Sequence, residues 1–144
     1  MIGKRPIPGR IFLDSNILIY AFSGTEPEKR TIARDLWRLP DAWVSTQALN
    51  DVANVLSRKF RLSFKDVGGV VEQITQTLPV LTVDMAIIRE AIMLAERHPR
   101  SYFDALMLAA ASHLGCETLY SEDLQHQGLI QGVRILNPFA SEQG

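Results

Sequence analysis

Asp14, Asp51, Asp104 and Asp123 are the residues of this 144-residue chain whose surroundings suit chemistry. Asp14 ends the run Ile11-Phe12-Leu13, which is apolar without alternation, as in a strand buried on both faces. An acid at the carboxyl end of a buried parallel strand stands where ligands bind in open α/β sheets. Asp51 falls in the first two turns of a helix expected after a second strand. Asp104 lies in the first turn of a strongly apolar helix, and Asp123 just follows the strand-like run 117–120. In a sheet whose strands all point one way, these places share one edge, so the four carboxylates can converge on a cleft. Such a cluster repels itself unless a cation neutralises it. Oxygen-only donors suit a hard ion, magnesium or manganese, rather than zinc. Magnesium takes few carboxylates and keeps several waters, which leaves room for a phosphate. A hard ion there can activate water and stabilise a leaving oxygen, so phosphodiester hydrolysis is the reaction class suggested.

Each acid also has a purely structural reading. Asp14 can cap the helix that follows it. Ser101 and Asp104 fit a capping box of the S-x-x-D kind. Asp123 can cap a short turn, and Asp51 can be a solvated flank. Asp84 also follows a strand, but it stands at the N-cap of a regular amphipathic helix and is read as structural. Glu122 adjoins Asp123; neighbours in an extended segment point oppositely, and Asp123 is taken as the inward one. His98, His113 and His126 show no ligand spacing and are read as structural or surface residues. Arg58, Lys59 and Arg61, with Lys65, gather at the far end of the Asp51 helix. A charge run of that kind is usually a solvated face, with phosphate contacts as the functional alternative.

The elements that must hold these residues follow from the apolar pattern. Short strands are expected at 11–13, 42–44, 80–83, 117–120 and 133–136. Helices are expected at 16–22, from Pro27 to about Leu39, from Ser45 to about Phe60, and at 66–78, 85–98 and 101–115. Leu49, Val52, Ala53, Leu56 and Phe60 line one face of the third helix. Residues 1–9 read as an irregular lead-in and 140–144 as a loose tail. Strands alternating with helices argue for a parallel sheet covered on both faces. The length suits one domain, and an apolar content of 47% suffices for a core. The net charge of −1 excludes general electrostatic attraction to nucleic acid, so any such contact must be a local patch. Cys116 is the only cysteine, which rules out an internal disulfide. No apolar run approaches the roughly 20 residues of a membrane span, and the N-terminus lacks a secretory pattern. An intracellular protein is the expectation.

Several short stretches resemble one known family. They are Phe12-Leu13-Asp14-Ser15-Asn16, Ser45-Thr46-Gln47-Ala48-Leu49-Asn50-Asp51, Tyr102-Phe103-Asp104-Ala105-Leu106 and Tyr120-Ser121-Glu122-Asp123-Leu124. Gly132-Val133-Arg134-Ile135 and Asn137-Pro138-Phe139 close the series. Together, in this order, they are similar to the PIN-domain ribonucleases, specifically toxins of the VapC type, over almost the whole chain. The resemblance implies a three-layer α/β/α fold around a mostly parallel sheet, here with five strands expected. It implies a magnesium- or manganese-dependent endoribonuclease that cuts single-stranded or structured RNA, the toxin of a type II toxin–antitoxin pair, which suits the intracellular, cytoplasmic expectation. It also implies a homodimer and a small inhibitory antitoxin. By position, Asp14, Asp104 and Asp123 match the family's metal-binding aspartates. Asp51 matches a position where the family usually has Glu; one methylene shorter, it reaches a metal either directly or through water. Ser121 matches a small hydroxyl residue that orients water or metal. Two alternatives stay open. One is an RNA-binding domain of the same fold without efficient turnover, which the Asp51 departure supports. The other is a phosphatase with Asp14 as nucleophile, although Asn16 stands where such enzymes carry a second Asp.

Overall fold

The computed structural model describes residues 6–98, 101–124 and 128–140. Along the chain run β1 (Ile7–Leu13), α1 (Ser15–Tyr20), α2 (Pro27–Trp37), β2 (Ala42–Ser45), α3 (Thr46–Arg58) and α4 (Phe64–Thr77). They are followed by β3 (Val80–Leu81), α5 (Met85–Arg97), α6 (Tyr102–His113), β4 (Cys116–Tyr120), β5 (Gly128–Ile130) and β6 (Val133–Leu136). One sheet has the order β3-β2-β1-β4-β6-β5. All neighbours are parallel except β5, which runs antiparallel to β6. The fold is α/β, with helices layered about a central, mostly parallel sheet. Among the described residues no helix is long and apolar enough to cross a membrane.

β1 lies between β2 and β4, so the unalternating run Ile11-Phe12-Leu13 is buried on both sides. Its neighbours end level with it: Leu13 pairs with Tyr120, and Tyr120 with Leu136. The carboxyl ends of β1, β4 and β6 therefore form one rim. Helix starts are set by small polar caps. Ser45, Ser63, Asp84 and Ser101 accept the N–H groups of Ala48, Asp66, Ile87 and Asp104 at 3.0–3.1 Å, and each such cap contributes ~1 kcal/mol. Asp84 thus has the structural place expected of it. α6 is apolar all round, and Ala105 to Ala111 are all buried, between α5 and the sheet. Gly115, in the left-handed region at φ 69, turns the chain from α6 into β4.

Two expectations are corrected. The lead-in placed at 1–9 is strand from Ile7 onward: the Ile7 N–H donates to Gly115 O at 2.7 Å, and Ile7 pairs with Cys116. Pro8 and Gly9 are tolerated because the pairing register shifts between Ile7 and Ile11, with Gly9 at φ 80. A missing amide and a left-handed glycine belong at such a bulge. Among the described residues the sheet also has six strands rather than five. The extra strand, β5, is three residues long and opens on Gly128, too short to stand out in sequence from the turn residues around it. Gln131 (φ 55) and Gly132 (φ 81) join it to β6, both in the left-handed region that tight hairpins need. Of the tail expected at 140–144, residues 141–144 lie outside the described residues, as do residues 1–5 of the lead-in and His126.

Candidate active site

The rim at the ends of β1 and β4 carries a connected polar network. Asp14 leaves β1, its N–H donating to Tyr120 O at 3.0 Å, and caps α1. Its Oδ1 accepts the Ser15 N–H at 2.7 Å, and its Oδ2 accepts the Ser121 hydroxyl at 2.6 Å. Ser121 is fully buried. Its Oγ in turn accepts the N–H groups of Asp123 at 3.2 Å and Leu124 at 3.4 Å. Asn16, in the first turn of α1, reaches across the rim. Its Nδ2 donates to Asp123 Oδ2 at 3.1 Å, and its Oδ1 accepts the Glu122 N–H at 3.3 Å. One serine and one asparagine thus hold two carboxylates beside each other.

Asp14 keeps some surface open to solvent, yet it is enclosed closely enough for burial to raise its carboxyl above the ordinary value. The hydrogen bonds from Ser121 and Ser15 oppose that rise; the charges of Asp123 and Asp51 add to it. Asp51, half-buried on α3, is itself raised by burial, opposed by a hydrogen bond from Gln47 Nε2 at 3.3 Å. Asp123 and Asp51, two of the other sequence-selected acids, therefore both bear on the charge of Asp14. Asp104 is not among the charges that act on Asp14. It sits half-buried in the first turn of α6. Ser101 supplies its half of the capping box, but the Asp104 carboxylate makes no hydrogen bond among the described residues.

The donor set fits a hard divalent ion. A buried carboxylate facing two other acids is stabilised by a cation, and all the donors are oxygens. Among the described residues no three Asp, Glu, His or Cys close on one point. Magnesium takes one or two carboxylates and keeps its waters, so a hard ion at such a set would need no closed cage of protein ligands.

Glu122 and Asp123 diverge, as neighbours in an extended segment do. Asp123 turns to Asn16, and Glu122 turns to Tyr20 and Lys29. The Tyr20 hydroxyl donates to Glu122 Oε1 at 2.6 Å, and Lys29 Nζ pairs with Oε2 at 2.5 Å. Burial pushes the Glu122 carboxyl up, but these two bonds outweigh it and hold it below the ordinary value. Lys29 also lies over the rings of Tyr20 (4.7 Å) and Phe139 (5.5 Å). The clasp ties α1, α2 and the chain after β6 to the loop bearing Asp123. Sequence reading missed it, because Lys29 and Glu122 are 93 residues apart.

Beside the network opens a cleft of about 480 Å³, walled by Asn16, Tyr20, Lys59, Phe60, Glu122 and Asp123. Of the three basic residues singled out in sequence, Lys59 lines it; Arg58 and Arg61 flank Lys59 on the exposed surface and are not in its wall. A larger hollow of about 600 Å³ between α2 and α4 contains Arg34, Trp37 and Thr77 but no acid.

The chain belongs to the PIN domain family, whose model matches residues 11–128. Solved structures of similar fold include a toxin–antitoxin complex from Klebsiella pneumoniae, at 23% identity and TM-score 0.67 over 90% of this chain and 98% of that one. Another is VapC20 of Mycobacterium tuberculosis, a toxin that cleaves the sarcin–ricin loop, at 19% identity and TM-score 0.65 over 78% and 89%. A third is DNA-bound VapBC from Salmonella typhimurium, at 18% identity and TM-score 0.62 over 90% and 98%. No curated protein matches the sequence.

Proposed function

We propose that this chain is a divalent-metal-dependent endoribonuclease, the toxin of a type II toxin–antitoxin pair, working in the cytoplasm as a homodimer. The observation that carries the reading is the Asp14–Ser121–Asp123–Asn16 network at the strand ends of a PIN fold. Asp14, Asp123 and Asp104 are the proposed ligands of Mg2+ or Mn2+, and Asp51 the fourth acid. When bound, such an ion supplies charge neutralisation and water activation at a phosphodiester. The chain's own residues do the positioning. Ser121 fixes the orientation of Asp14 through Oδ2, and Asn16 fixes Asp123. Lys59, flanked by Arg58 and Arg61, meets RNA phosphates from the cleft wall. Similar folds in a toxin that cleaves the sarcin–ricin loop and in a toxin–antitoxin complex support RNA as substrate and an antitoxin as partner.

The test incubates purified protein with structured RNA in magnesium or manganese, and in EDTA, with an aryl phosphate as control. The reading expects RNA fragments with metal only and an intact aryl phosphate. RNA bound but uncut with metal would indicate a binding domain. A hydrolysed aryl phosphate would indicate a phosphatase.

A further inference from the structure

The turn between α3 and α4 combines charge and aromatic rings in a way the acidic network does not explain. Its sequence is Arg58-Lys59-Phe60-Arg61-Leu62-Ser63-Phe64-Lys65. All four cations are exposed, and none is in an ion pair among the described residues. Phe60 is 52% exposed and Phe64 80%. The backbone around them is tied down. The N–H groups of Lys59 and Phe60 both donate to Val55 O, at 2.8 and 3.3 Å, and the Leu62 N–H donates to Leu56 O at 3.0 Å. Arg61 takes the left-handed conformation at φ 56, uncommon for a residue with a side chain, and Leu62 packs on the core. The chain on both sides of Phe60 is therefore held while its ring stays out.

A single exposed phenylalanine is ordinary surface. This one walls the same cleft as Asp123 and Asn16, and Lys59 Nζ lies 5.9 Å from its ring centroid. We infer that the α3–α4 turn grips unpaired RNA beside the acidic cleft, with Phe60 as the platform for one base and Lys59 on a neighbouring phosphate. The inference rests on the ribonuclease reading and narrows its substrate to a strand with an unstacked base. Rings interleaved with unpaired cations match the alternation of bases and phosphates in a single strand. An apolar protein face would have to strip water from the same four cations, at a cost that nothing in the turn offsets. In a duplex the base faces are already stacked and out of reach.

The test measures binding to the Asp14→Asn protein, which spares the RNA, by fluorescence anisotropy. The probe is a single-stranded RNA of about 12 nucleotides, within the ~4–16 that such sites span. Phe60→Ala and Phe60→Leu should each weaken binding about 5- to 100-fold, the range for losing one stacked base. Phe60→Trp should bind at least as tightly as the parent. Phe60→Ala should leave the salt dependence unchanged, whereas Lys59→Gln should lower its slope by about 0.7. On RNA made abasic throughout, the parent and the Phe60 variants should bind alike. The leucine and tryptophan variants keep an apolar side chain, so a folding defect in the alanine variant leaves the comparison standing. Parental affinity in both Phe60→Ala and Phe60→Leu would overturn the base platform alone. Parental affinity in Phe60→Leu with loss in Phe60→Ala would also overturn it, showing an apolar contact of the kind a protein partner makes. A parent with no affinity for RNA would overturn the ribonuclease reading and this inference together.

Discussion

Asp51 is the residue at which a single methylene matters. It stands on α3, half-buried and bonded by Gln47, and the resemblance sets it against a Glu. Its charge reaches Asp14, so it belongs electrostatically to the site. If it serves a cation there, its charge matters more than its length. Asp51→Asn should lower the RNA cleavage rate at saturating magnesium by at least ~10-fold, while Asp51→Glu should match the native rate or exceed it. The helix hardly notices the change to Glu, a slightly better helix former. Equal rates for Asp and Asn would return Asp51 to the surface of α3. A second single residue, Asn16, enters the sequence reading as the end of one resembling stretch and as the group that disfavours an Asp-nucleophile phosphatase, with no contact assigned to it. Its bond to Asp123 spans 107 residues of chain, a separation at which no local pattern can reveal a contact. Asp14 was legible because its cue is local: an apolar run that stops at an acid. Asp104 looked equivalent on local cues, but no hydrogen bond ties its carboxylate to the rim among the described residues.

At the scale of elements, the rim depends on β1 keeping register with β2 and β4. Arg10 holds that register from the far side. Its Nε donates to Asp41 Oδ2 at 3.0 Å, its Nη1 to Leu114 O at 3.1 Å, and its guanidinium lies 5.2 Å from the centroid of the Trp43 ring. Hydrogen bonds from Trp43 and Arg10 hold the Asp41 carboxyl below its ordinary value. A carboxyl lowered on folding contributes stability above its unfolded pKa, and that contribution is lost as pH falls through the folded value. Asp41→Asn should therefore melt below the native protein at pH 7, by less than about 1 kcal/mol for a partly exposed pair. The two should converge as the pH drops through the acid range, as followed by thermal scans across pH. A constant gap down to the lowest pH would assign the loss to packing instead. The helices and central strands were readable because their caps and apolar runs are local. β5 and the outer half of β1 were not, since a three-residue edge strand opening on Gly128 and a bulge at Pro8-Gly9 look like punctuation. Only the hairpin partner β6 and the pairing of Ile7 with Cys116 make them strands.

For the whole molecule, an enclosed Asp14 whose carboxylate is opposed by the charges of Asp123 and Asp51 is a cost to the fold. A ligand that binds the native state and not the unfolded chain raises stability by mass action, ~2.7 kcal/mol at a hundredfold excess over its dissociation constant. Millimolar magnesium should therefore raise the melting temperature of the native protein, by several degrees if its affinity is micromolar. Asp14→Asn should abolish most of that gain. Identical midpoints in magnesium and EDTA would count against a shared cation at the rim.

The most direct measurement compares RNA cleavage by the native protein, Asp14→Asn and Asp84→Asn at saturating magnesium, with circular dichroism on each. Asn at position 14 can still accept the Ser15 N–H and accept or donate at Ser121, so the α1 cap survives while the charge is lost. The account predicts that Asp14→Asn falls at least ~100-fold with its fold intact, the scale on which removal of one stabilising catalytic group acts. Asp84→Asn, whose carboxylate only caps α5, should cut at the native rate. Full activity in Asp14→Asn would contradict the account, because the carboxylate at the end of β1 would then have no part in the reaction.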